Sequence, residues 1–110
     1  MLTEKDYCDY DTVVALEELG FPLHPYGNRE IDTALRLTRS LYEAQKWLRE
    51  EKKIEANVSF DKTEDGWIAF IQRLDYPDLI GTDCLTPIFN SYEDALLEGI
   101  KEAVKILKDE

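Results

Sequence analysis

One histidine, His24, two cysteines, Cys8 and Cys84, and a scatter of carboxylates from Asp61 to Asp83 are the side chains of this chain whose types could do chemistry. A nucleophilic pair would need His24 beside Cys8, Cys84 or a serine, with an orienting carboxylate and oxyanion donors. No neighbour of His24 supplies that carboxylate, and its Pro-rich surroundings make it an exposed turn residue. Asp75, Asp78 and Asp83, with Asp61, Glu64 and Asp65 in the neighbouring turn, hold enough oxygens for a hard cation such as calcium. They lack the alternating acids, central Gly and closing Glu of an EF-hand loop. A solvated acidic rim is preferred over the alternative of a weak divalent site, and no metal and no cofactor are assigned. No Cys or His pair has zinc spacing, and Gly66 and Gly81 sit in turns without a phosphate-cradling pattern. No catalytic residue is assigned, and the chain is expected not to be an enzyme.

Charge is the more informative feature. Residues 36–53 carry Arg36, Arg39, Lys46, Arg49, Lys52 and Lys53 against three acids, a local balance of +3 in a chain of net charge −11. Residues 1–35 stand at −6, residues 54–100 at −8, and residues 101–110 at zero. Such a surface repels nucleic acid and anionic membranes and attracts basic proteins. Arg39, Lys46 and Arg49 have the spacing to pair with Glu43 and Glu50 along an exposed helix face, which leaves little for phosphate.

These residues need elements to position them, and 110 residues suffice for one domain with its own core. No apolar run is long enough for a membrane span, and the polar start Met1 to Asp6 does not read as a signal peptide. A cytoplasmic location is expected, with Cys8 and Cys84 as free thiols. The spacing predicts a first helix over 12–19, capped by Asp11 or Thr12 and stopped by Gly20, Phe21 and Pro22. A Pro/Gly loop fills 20–30. A second helix is predicted over 32–52, with Leu37, Leu41, Ala44 and Leu48 as its core stripe. Ser40-x-x-Glu43 is a possible capping box that would split it. One long helix is preferred, because Ala34, Leu35 and Leu37 extend the apolar face.

Ile54, Ala56, Val58 and Phe60 alternate with Glu55, Asn57, Ser59 and Asp61, a strand with one wet face. Lys62 to Gly66 turns the chain into a second strand, 67–74, apolar on both faces. Its second face requires a cover, either the first helix or another subunit. Leu85 to Phe89 is an edge strand because of Pro87. A last helix starts at Ser91 and buries Leu96, Ile100, Ala103, Val104 and Leu107. The expected fold is a single α+β domain over 1–110, order α-α-β-β-β-α. A three-stranded antiparallel sheet packs against helices, with 1–30 as an N-terminal helix and loop and 31–110 as the remainder.

Two resemblances follow from these segments. Gln45-Lys46-Trp47-Leu48-Arg49-Glu50-Glu51 followed by Ser91-Tyr92-Glu93-Asp94-Ala95-Leu96-Leu97-Glu98-Gly99-Ile100 resembles small uncharacterised proteins of Bacteroidetes phages and mobile elements. It covers residues 40–108 and implies that setting without an activity. Glu64-Asp65-Gly66-Trp67, then Pro77-Asp78-Leu79-Ile80-Gly81, then Ser91-Tyr92-Glu93-Asp94-Ala95, resembles the small domain of HicB-type antitoxins. Ile80 stands where that pattern has a second Pro, and Cys84 comes two residues late. The resemblance implies a protein that occludes a small basic RNA-cleaving toxin.

The expectation is therefore a small acidic non-catalytic binding protein that docks a basic partner protein. Its steering charges and apolar anchors are Asp75, Tyr76, Asp78, Leu79, Ile80 and Asp83. The alternatives are a structural homo-oligomer, such as a homodimer, formed through strand 67–74, and a HicB-like antitoxin. No nucleic-acid or membrane partner is expected.

Overall fold

Asp9 is extended (φ −77°, ψ 166°) and its carboxylate accepts the Thr12 amide at 2.9 Å, so helix α1 runs Tyr10–Glu18. That is two residues earlier than predicted, because Asp9 rather than Asp11 or Thr12 caps the free amides. At the other end Gly20 takes φ 109°. Its amide bonds to Glu17 O and the Phe21 amide to Leu16 O, both at 3.0 Å, a Schellman stop with Phe21 buried behind it. The computed structural model describes residues 4–22, 39–74 and 84–109.

Helix α2 is Leu41–Glu51. Ser40 Oγ accepts the Glu43 amide at 3.0 Å, and Glu43 Oε1 accepts the Ser40 amide at 3.3 Å. Ser40 is extended (φ −76°, ψ 153°), so a single helix running through it over 32–52 is ruled out. Two backbone amides satisfied by the capping box outweigh the apolar continuity that favoured one long helix. The segment before the cap is pinned by the N-terminus, where the Cys8 amide donates to Arg39 O at 2.8 Å and Tyr7 bridges Ser40.

Strands β1 (Ile54–Asp61) and β2 (Gly66–Arg73) form an antiparallel hairpin in the register Ile54↔Arg73 through Asp61↔Gly66. Asp65 closes the turn at φ 52°. A two-residue strand β3, Cys84–Leu85, pairs with Ile71 and Phe70 on the far side of β2. Thr86 and Phe89 continue alongside. The Thr86 hydroxyl accepts the Ala69 amide at 2.9 Å, just before Pro87 interrupts the ladder, and Phe89 exchanges both backbone bonds with Trp67. Helix α3 (Tyr92–Lys108) starts at Ser91, whose hydroxyl accepts the Asp94 amide. The chain is thus α+β, an antiparallel hairpin packed by helices.

The core lies on one face of the hairpin. Ile54, Ala56, Ala69 and Ile71 meet Leu96, Ile100, Ala103 and Val104 of α3, with Leu41, Ala44 and Leu48 of α2 beside them. α1 adds Val13 and Leu16 and is tied to α3 by Lys101 to Asp9 (3.0 Å) and Lys108 to Glu18 (2.6 Å). It therefore packs on the helix side, against α3. Among the described residues, no helix is long and apolar enough to cross a membrane.

Candidate partner-binding surface

Asp75, Tyr76, Asp78, Leu79, Ile80 and Asp83 lie outside the described residues, as do His24, the predicted loop beyond Pro22 and the start of the predicted second helix. The structure fixes where the loop 75–83 is rooted. The chain leaves at Leu74, whose amide bonds Lys53 O, and re-enters at Cys84 opposite Ile71. Both roots lie at the end of β2 remote from the 62–65 turn. About 23 Å separates Gly66 from Arg73 at roughly 3.3 Å per residue. The hairpin thus does not bring the turn carboxylates to the roots of that loop. Asp61 Oδ1 is engaged locally, accepting the Thr63 and Glu64 amides at 2.9 and 3.1 Å. Among the described residues no group of three or more His, Cys, Asp or Glu is arranged to hold a metal ion.

Three bases of the basic segment, Arg39, Arg49 and Lys52, make contacts within the fold. Arg39, expected on an exposed face, is 6% exposed. Its guanidinium donates to Pro22 O at 2.6 Å, stacks 4.1 Å over the Phe21 ring and approaches Glu43 at 3.5 Å. Arg49 reaches across to Glu55 of β1 at 3.3 Å, which is why Glu55 is buried on a face expected to be wet. Lys52 lies 5.6 Å over the Trp47 ring, itself edge-on to Phe21. Arg39 and Arg49 tie α2 to the Phe21–Pro22 segment and to β1, while Lys52 packs on a ring of its own helix. Lys46 and Lys53 remain exposed.

Exposed aromatics and acids gather at the turn end of the hairpin. Phe60 and Trp67, paired across the strands, meet edge to face at 5.1 Å, and Trp67 meets Tyr92 of α3 at 5.5 Å. Phe60 is 45% exposed and Tyr42 37%. The Tyr42 hydroxyl donates to Asp6 at 2.6 Å. That bond, with partial burial and the charges of Asp6 and Glu93, pushes the phenol up to about 12. The acidity continues along α3. Lys101 is held above its ordinary range, first by its hydrogen bond to Asp9 and further by the charges of Asp9, Glu98 and Asp11.

Surface clefts lined by described residues include one of about 490 Å³ between α1 and α3, over Thr12, Ala15 and Val104. Its lysines face Asp11 and Asp109, and two of them are already paired to α1. Others, of about 290 and 250 Å³, lie between the N-terminal segment and the start of α3, and beside Trp47. Cys8 borders the former, yet its thiol is 2% exposed and burial pushes it up to about 12, the reverse of an activated nucleophile.

β2 is the central strand, so the homo-oligomer expected through 67–74 has neither edge of that strand free; what remains is its outer face, where Ile68 and Phe70 are half-buried. The aromatic corner was foreshadowed in sequence only by the Phe60 and Trp67 pair flanking an acidic turn; Tyr42 and Tyr92 join it through tertiary packing. No family model, curated protein or solved structure matches this chain.

Proposed function

We propose that this chain is a small non-catalytic binding protein that docks a basic partner protein through its acidic surface, in a phage or mobile-element setting. The observation that carries this reading is the fate of the charges. Arg39 is buried against Phe21 and Pro22, Arg49 is paired with Glu55 and Lys52 lies over Trp47, so these three bases are engaged within the chain and give little relief to the −8 carried by residues 54–100. Acidic rims of this kind steer encounter, while aromatic and apolar groups supply affinity. Phe60 and Tyr42 on the described surface, together with Tyr76, Leu79 and Ile80 of the acidic segment, are the groups proposed for that role. The HicB-type resemblance gives the reading its most specific form, occlusion of a small basic RNA-cleaving toxin. The antiparallel three-stranded sheet in the order α-α-β-β-β-α, packed against the helices, is the frame proposed to present both loops.

The test is to replace Asp75, Asp78 and Asp83 together by Asn and measure association with the partner recovered from native-host lysate. Weaker association with a shallower salt dependence is expected. Unchanged affinity and salt dependence would refute the assignment of these residues.

A second reading, a homo-oligomer, is favoured by Ile68 and Phe70 on the outer face of β2, while α1 packs on the helix side. A concentration-independent monomer by light scattering would remove it.

A further inference from the structure

The two long edges of the hairpin are treated differently, and the difference locates a docking site. The Leu74 amide bonds Lys53 O, so odd-numbered residues of β1 turn their backbone groups toward β2. Even-numbered residues must turn theirs outward. Ala56 confirms the alternation, because its carbonyl accepts Gln45 Nε2 of α2 at 2.6 Å. On β2 the pattern is complementary, with Trp67 and Ala69 bonding Phe89 and Thr86 on the far side. α2 therefore covers the upstream part of the β1 edge. Among the described residues no strand or side chain pairs with the outward N–H and C=O of Val58 and Phe60.

Natural sheets guard such edges with Pro, lysines or bulges. Residues 57–61 contain none of these, and Asp61 is their only charge. Resting on the reading that the partner is basic, we propose that the open edge of β1 at Val58 to Phe60 takes an extended basic segment of the partner protein as an added antiparallel strand. Charge selects that occupant. Asp61, Glu64 and Asp65 flank the downstream end against Lys62 alone, and Asp6 and Glu93 surround Tyr42 nearby. A second copy of this chain would bring another −11 to the same place.

The register dictates the segment. Residues opposite Val58 and Phe60 present N–H and C=O to β1 and their side chains to the helix side, beside the exposed Phe60 ring. The alternate residues lie on the outer face with Asn57, Ser59 and Asp61. The recognised pattern is apolar residues alternating with Lys or Arg, the apolar set carrying the backbone bonds.

The test uses the full-length, isotopically labelled chain and an end-capped seven-residue peptide of alternating Val and Lys. Amide exchange and peptide affinity are read together. Peptide binding should slow exchange of the Val58 and Phe60 amides by about tenfold or more while leaving Asn57 and Ser59, already bonded to β2, unchanged. N-methylating every Val should abolish binding; N-methylating every Lys should not. Equal binding of both methylated peptides would overturn strand addition yet leave acidic docking standing. Val58 and Phe60 amides already protected in the free protein would overturn the inference, as would failure of the unmethylated peptide to bind at low salt. Partner capture from lysate then judges the docking reading separately.

Discussion

Gly99 packs directly against the hairpin, and adding one methyl group there measures how tightly α3 holds the sheet. A Cβ at Gly99 would lie 2.9 Å from Ala69 Cβ, 3.5 Å from Ala56 Cβ and 3.7 Å from Ile71 Cδ1. Carbon atoms prefer about 3.5 to 4.0 Å, so only the Ala69 contact is too short. Ala69 Cβ is fixed to the backbone of the central strand and cannot rotate away, so α3 or β2 must move by roughly half an ångström or more. Overpacking of this kind costs about 1 to 3 kcal/mol, against a gain of about 1 kcal/mol from replacing a mid-helix glycine by alanine. Gly99→Ala should therefore destabilise the fold by about 1 kcal/mol in urea unfolding. Ala69→Gly, itself destabilising, should cost about 1 kcal/mol less in the Gly99→Ala background than in the wild type. A Gly99→Ala protein as stable as the parent, with no coupling to Ala69, would refute this account of the helix and sheet interface.

Ser40→Ala removes the acceptor for the Glu43 amide and should cost about 1 kcal/mol in denaturant unfolding; no loss would mean that the capping box does not set the start of α2. In a Cys84→Ser background Cys8 should resist a thiol reagent in the native protein and react on unfolding; rapid native labelling would contradict its burial. The Tyr42 phenol, raised to about 12 by its bond to Asp6, should support the native state fully below about pH 10 and lose that support as pH climbs from 10 to 12. The stability gap between wild type and Tyr42→Phe should narrow over that window and nowhere below it. Partial burial raises Asp9, but hydrogen bonds from Thr12 and Lys101 outweigh it and hold the carboxyl below its ordinary 3.8. The gap to Asp9→Asn should accordingly be constant above that value and close as pH falls through the lower folded value.

Local periodicity made much of the architecture legible. The alternation of 54–61, the acidic turn and the Ser91 cap each specify their element with little help from distant residues. The Gly20-Phe21-Pro22 stop was equally plain. Tertiary competition explains the departures. Ser40 offered both a cap and a helix interior, and the reciprocal bond with Glu43 decided it. Glu55 was read as wet from alternation alone, but Arg49 of α2 lies against it. Gly99 carried no apolar signal of its own, although it stands at four-residue spacing between Ala95 and Ala103 and lies against Ala56 and Ala69. The open edge of β1 was invisible because it depends on which strand lies in the middle. The acidic composition of 75–83 was legible, while the separation of its flanking residues Leu74 and Cys84 from the 62–65 turn needed the register.

The most direct test of the central claim is affinity capture from native-host lysate with the full chain as bait, with nuclease present, read by mass spectrometry in low and moderate salt. The account predicts one basic protein, retained after nuclease treatment and released as salt rises. Recovery of the bait alone, or of a partner whose retention ignores salt, would contradict it.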